Sequence, residues 1–149
     1  MKRYVALLFV CLFAFTFSIP SFATFDKSSQ VVSSYTENIE DDIICITTVY
    51  LSSHSPFSFG ERQGYVNKDY YHKGNHIASV ILGATFTYNG STATATSASG
   101  SHSVASGWSY AGQSTWCSGA TAHLSASLSG PVTIPVNLSL TCSPGGTLT

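Results

Sequence analysis

Residues 76–88 read HIASVILGATFTY, and their side chains alternate. On an extended strand Ala78, Val80, Leu82, Ala84, Phe86 and Tyr88 share one side, while Ser79, Gly83, Thr85 and Thr87 share the other with Ile77 and Ile81. A period of two over this length marks a strand with one face toward a core. It constrains the fold more than any other feature, because a strand that is apolar on one side needs a second layer to cover it.

Asn89-Gly90 follows at once, the strongest short signal for a hairpin. A two-residue turn sets Tyr88 opposite Ser91, Phe86 opposite Ala93, Ala84 opposite Ala95 and Thr87 opposite Thr92. Apolar then meets apolar, whereas a three-residue loop would mix the faces. The pattern recurs near the C-terminus. Ala120, Ala122, Leu124, Ala126 and Leu128 alternate with polar residues, and so do Val132, Ile134, Val136, Leu138 and Leu140. A three-residue connection over 129–131 pairs Leu128 with Val132 and puts both rows on one face. With weaker strands at about 42–52, 63–70 and 103–110, the chain reads as all-β. The expectation is an antiparallel β-sandwich of about seven strands, the count of an immunoglobulin-like architecture. Only the sandwich architecture is expected, because a true immunoglobulin domain sets a Trp between its paired cysteines. Here Trp108 precedes Cys117 and Trp116 adjoins it.

Lys2 and Arg3 lead an apolar run from Tyr4 to Phe17, followed by Ser-Phe-Ala at 21–23. That is the layout of a secretory signal peptide, 1–23, in a run too short for a spanning helix. Residues 24–40 are polar and aperiodic and read as a flexible arm, leaving 41–149 as the β domain. Past residue 23 stand Lys27, Arg62, Lys68 and Lys73 against seven acidic residues, a formal charge of minus three. No Asp, Glu, Lys or Arg occurs from Asn75 onward. The basic stripe that a phosphate backbone requires is missing, which argues against nucleic acid.

Three cysteines remain after the signal peptide, Cys45, Cys117 and Cys142, and an oxidising compartment favours pairing two of them. Extending the C-terminal hairpin places Cys142 opposite Ser118, beside Cys117, so a Cys117–Cys142 disulfide is the expected pair, with a bulge near Gly119 to correct the face. Connectivity is not readable from sequence, and Cys45 would be a buried thiol or an intermolecular link. The catalytic rival makes Cys117 a nucleophile with His123 as base, in the manner of a hydrolase, but no acid stands nearby to orient the ring. His72 and His76 form the one close histidine pair, separated by a turn at Gly74. They read as solvent-facing rings at a hairpin end rather than metal ligands. His54 and His102 fall in serine-rich segments. There is no nucleophile elbow, P-loop or H-E-x-x-H. No catalytic residue, metal or cofactor is therefore expected.

An uncharged Ser/Thr/Gly/Ala surface can still form hydrogen bonds, and exposed aromatic rings can stack on a ligand. Residues 106–116, SGWSYAGQSTW, concentrate Trp108, Tyr110 and Trp116 in a loop or edge and are the candidate ligand contacts. The competing reading makes them a cover over the core.

The segments ATFTYNGSTATATSAS and LSLTCSPGGTLT, together with the signal peptide, resemble a group of short secreted proteins of Gram-positive, mostly gut-dwelling bacteria. The resemblance spans about residues 40–149 and is specific at FTYNG and LTCSPGGTL. It implies secretion and a β fold, and carries no activity. It also implies a cysteine near Ala95, where this chain has none and carries Cys117 instead, which leaves the partner of Cys142 open. A shorter stretch, YYHKGNHIASV, resembles part of the lactococcin 972 type of secreted bacteriocin.

The expected function is a secreted, non-enzymatic β domain whose partner is a carbohydrate, a cell-wall polymer or a protein, without stable membrane insertion. The alternatives are a bacteriocin or membrane-active toxin and a Cys117-dependent hydrolase.

Overall fold

The computed structural model describes residues 29–40, 42–52 and 60–149. The expected signal peptide and His54 lie outside these residues. Eight antiparallel strands form two sheets: β1 (Gln30–Glu40), β2 (Ile43–Leu51), β3 (Glu61–His72), β4 (Asn75–Tyr88) and β5 (Ala93–Val104) in one, β6 (Ser109–Ser118), β7 (Thr121–Ser129) and β8 (Thr133–Thr141) in the other. No helix occurs among the described residues. The sheets pack face to face, with β7 against β4 and β5 and β8 against β3 and β4. The expected sandwich is therefore present. Neighbours in each sheet are also neighbours in sequence, so both sheets are meanders. The Greek-key connections of an immunoglobulin domain do not occur among these strands.

The alternation of β4 has the predicted effect. Ala78, Val80, Leu82, Ala84 and Phe86 are buried, and they meet Ala122, Leu124, Leu128, Ile134, Val136, Leu138 and Leu140 from the other sheet. Gly100 lets the layers close: a Cβ there would lie 2.5 Å from Leu124 Cδ1.

Four expectations are corrected. The stretch read as a flexible arm is, from Gln30 to Glu40, an edge strand paired along β2. The Asn89-Gly90 hairpin exists, but its first pair is Tyr88 with Ala93, two residues beyond the expected register. Asn89 Oδ1 accepts hydrogen bonds from the Ser91 and Thr92 amides at 3.0 and 2.8 Å and from Thr92 Oγ1, so the asparagine builds a four-residue loop. Because the shift is even, Phe86 still faces an alanine, Ala95. The C-terminal hairpin shifts likewise, with Leu128 opposite Ile134. Finally, the expected strand at 103–110 straddles a corner: β5 ends at Val104, the Trp108 amide donates to the Ala105 carbonyl at 3.1 Å, and β6 starts at Ser109.

The turn at Gly74 is as expected. Lys73 and Gly74 both have positive φ, 52° and 77°, the geometry of a tight two-residue hairpin.

Candidate functional site

The three cysteines are all free thiols: Cys45 and Cys142 are buried and Cys117 is exposed. The expected Cys117–Cys142 disulfide is absent because β7 stands between them. Cys117 pairs with Ala122, Ala122 pairs with Leu140, and the Cys142 amide donates to the Ala120 carbonyl. Two antiparallel strand spacings, ~10 Å, exceed the Cα separation a disulfide tolerates. Burial pushes the Cys142 thiol up, while Arg62 pulls it down. Cys45 is also pushed up by burial.

The Cys117–His123 arrangement of the hydrolase reading does not form. His123 lies opposite Trp116, one residue away in register, so the thiol and the imidazole project from opposite faces of the sheet. The ring instead stacks on Trp116, with centroids 5.0 Å apart.

A Ser-His-Asp trio that sequence spacing concealed stands on the outer face of β3 and β4. Ser79 Oγ donates to Asp69 Oδ1 at 2.5 Å, and His76 Nε2 lies 2.9 Å from Ser79 Oγ and 3.5 Å from Asp69 Oδ1. Asn67 Nδ2 donates to the other carboxylate oxygen at 2.7 Å. The direction is the reverse of nucleophile activation. The serine proton is committed to the carboxylate, so its oxygen accepts from His76, and Asp69 does not orient the far nitrogen of the ring. The trio is a hydrogen-bonded chain without a nucleophile. Its members come from residues 67–79, and only strand pairing brings Asp69 opposite Ser79.

His72 and His76 part company at the same hairpin. His72 pairs with Asn75 and His76 with Tyr71, so the rings occupy opposite faces. His72 meets Trp108 edge-on at 5.8 Å and His76 meets Tyr71 at 5.3 Å.

The candidate aromatic contacts are divided by a β-bulge. Ala111 pairs with Ser127 and Ser114 with Ser125, which leaves Gly112 and Gln113 opposite a single residue, with Gly112 at φ 69°. The extra residue inverts the side on which later side chains emerge. Tyr110, before the bulge, pairs with the buried Leu128 and stacks on His102 at 3.8 Å; burial raises its phenol pKa. Trp116, after the bulge, faces outward and is 46% exposed. Trp108 covers the corner and packs on the core, close enough to Gly130 that a Cβ there would lie 2.6 Å from the indole. The core-covering reading thus holds for Trp108 and Tyr110, and only Trp116 stands on open surface.

The surface around Trp116 is the outer face of β6–β8. The cross-strand rows are Ser114–Ser125–Asn137, Trp116–His123–Ser139 and Ser118–Thr121–Thr141. No Asp, Glu, Lys or Arg occurs on these strands. One aromatic stack stands on a sheet of hydroxyl and amide groups.

Compared with protein-family models, with curated proteins and with solved structures, the chain matches none.

Proposed function

We propose that this chain is a secreted, non-catalytic binding module whose ligand is a neutral, hydroxyl-rich polymer such as a cell-wall or surface polysaccharide. The observation that carries this reading is the stacked Trp116–His123 pair, centroids 5.0 Å apart, on a face that presents mainly Ser, Thr and Asn, with Ala111 and Pro135 in one row. A sugar ring has an apolar side that stacks on an indole and a rim of hydroxyls that exchange hydrogen bonds with short polar side chains. Neither interaction requires formal charge. His123 holds the indole against the sheet, which lowers the ordering cost of capture. A flat face also suits an extended chain better than a free monosaccharide.

The reading is tested by retention on insoluble chitin, cellulose, β-1,3-glucan and peptidoglycan. The wild-type protein is expected to be retained on at least one of them, and Trp116→Ala to lose that retention. Retention on none of the four, or an equally retained Trp116→Ala, removes it.

A further inference from the structure

The two motifs FTYNG and LTCSPGGTL, distant in sequence, meet in the fold. The chain after β8 turns back on itself: Cys142 bridges to Leu148, and Thr141 and Thr149 exchange both backbone hydrogen bonds at 2.8 and 2.9 Å. The Gly90 amide donates to the Pro144 carbonyl at 2.9 Å, and Gly146 lies so close to Tyr88 that a Cβ would stand 2.6 Å from the ring. Leu148 is buried against Gly64 of β3. This C-terminal hairpin forms one wall of an open cavity of about 340 Å³, opposite the start of β1.

The cavity has the makeup of a ligand site. Val31, Val32, Leu51 and Leu148 supply apolar surface, and Arg62 is the one charged residue that lines it. Val31 and Val32 are 53% and 43% exposed. Arg62 has no carboxylate partner among the described residues. Its Nη2 donates to the Tyr88 hydroxyl at 3.3 Å, its guanidinium lies 5.5 Å from the centre of that ring, and its Nε is buried with no hydrogen-bond partner. The adjacent Glu61 pairs with Thr87 on the opposite face and accepts from Gln63. A guanidinium without a carboxylate partner favours an oxyanion, which it can hold through its terminal nitrogens.

From this geometry we infer a second binding site, separate from the Trp116 face, for a small amphiphile: one oxyanion head on Arg62 and a short apolar tail along Val31, Val32, Leu51 and Leu148. Tyr88 holds the guanidinium from behind, so the head approaches from the cavity side. The shared chemistry is an oxyanion on an alkyl chain, and the titration below distinguishes a carboxylate head from a phosphate. The site does not depend on the polysaccharide reading.

The test is calorimetric titration of the full-length chain, β1 included, with decanoate, decyl phosphate, decanol and inorganic phosphate, each below its micelle-forming concentration. At least one of the two charged amphiphiles is expected to bind at one per chain, about tenfold or more tighter than decanol. Whichever of decanoate and decyl phosphate binds tighter identifies the head. Val32→Glu, at the exposed lip, is expected to abolish binding while the unliganded melting temperature holds. Arg62→Gln is expected to erase the preference over decanol. Decanol binding as tightly as either charged amphiphile, inorganic phosphate binding as tightly as decyl phosphate, no binding of either charged amphiphile, or a Val32→Glu protein that binds normally would each overturn the assignment. A loss of polysaccharide retention in Trp116→Ala bears on the other face alone.

Discussion

Every charged side chain among the described residues lies on β1, on β3 or in the turns before β2 and β4, and β6–β8 carry none. The two sheets therefore build their shared interior from different materials. The three-stranded sheet contributes Leu124, Leu128, Ile134, Val136, Leu138 and Leu140, an apolar face without a polar interruption apart from its margins. The five-stranded sheet brings Lys68 and Arg62 to the same side as Val66 and Tyr70, and must place each charge where it finds a partner. Lys68 runs its chain past Thr47 and Val80 in register and its Nζ meets Glu37 Oε1 at 3.1 Å. Arg62 meets an aromatic ring. Charge on the core side is tolerated near the β1 edge, where the smaller sheet no longer covers the larger one, and an inward charge there also discourages pairing with another chain. The uncharged sheet has no such edge device, and its outward face is free for a neutral ligand.

The sharpest way to break this comparison is to ask whether two differently built sheets unfold as one. Phe86 and Leu128 are both fully buried, one in each sheet. Phe86→Ala is expected to cost ~3–5 kcal/mol and Leu128→Ala ~2–5 kcal/mol, because each leaves a cavity in one interior. Urea unfolding followed by tryptophan fluorescence reports the smaller sheet, since Trp108 and Trp116 flank or lie on β6. Phe86→Ala should move that tryptophan transition although its own strand belongs to the other sheet. A tryptophan midpoint unchanged by Phe86→Ala would mean that the sheets are separate folding units.

Alkaline pH separates the sheets by their buried acids. Burial raises the pKa of Tyr70, with the nearby Cys45 and Glu37 adding to the rise, and burial raises Cys45 as well. Both groups are neutral in the fold, and in the unfolded chain they ionise at their ordinary values, ~8.5 for a thiol and ~10 for a phenol. The stabilisation from keeping them neutral is thus complete below pH ~8.5 and is lost as pH climbs through ~10 and beyond. The midpoint of urea unfolding should fall over that range. Tyr70→Phe, which removes the most strongly raised group, should flatten the decline. An equally steep decline in Tyr70→Phe would place its origin elsewhere, with Cys45, Tyr110 and Cys142 as the remaining groups raised by burial.

The same difference explains which parts of the fold could be read from sequence. β4, β7 and β8 alternate because one face is buried along most of their length, and parity identified their core residues apart from Ile77, which is buried beside Ala78. β1 carries no such signal. It is an edge strand exposed on nearly every residue, so burial imposes no period on QVVSSYTENIE and the segment reads as an arm. Registers were legible only in parity. Asn89 can cap a four-residue loop as readily as it can form a two-residue turn, and either choice keeps Phe86 facing an alanine. The disulfide expectation failed because the chain turns between Ser118 and Thr121: Cys117 belongs to β6, a strand away from Cys142, which sits against Ala120. The aromatic cluster was readable as a cluster, but a single bulge at Gly112–Gln113 decided which ring faced water. The Ser79–His76–Asp69 chain left no trace in spacing, because it is assembled across a strand pair, and Arg62 looked like any other solitary cation until the C-terminal hairpin enclosed it.

The smallest expected effect is at the Lys68–Glu37 pair, and it is the one that tests why charge is confined to one sheet. The Lys68 side chain is 16% exposed and Glu37 is 43% exposed, so one partner is nearly dry and the other is half in water. If the pair acted as a buried ion pair, removing one charge would strand the other and cost several kcal/mol. With Glu37 half solvated and the lysine on a flexible stem, the ammonium can turn to water when its partner is removed. Glu37→Gln is then expected to cost no more than ~1 kcal/mol at low ionic strength, and most of that should vanish in molar salt. Leu128→Ala, in the uncharged sheet, should show the same loss at both salt concentrations. A salt-independent loss of several kcal/mol in Glu37→Gln would show that the charge is buried in effect, and that the edge of the larger sheet is covered after all.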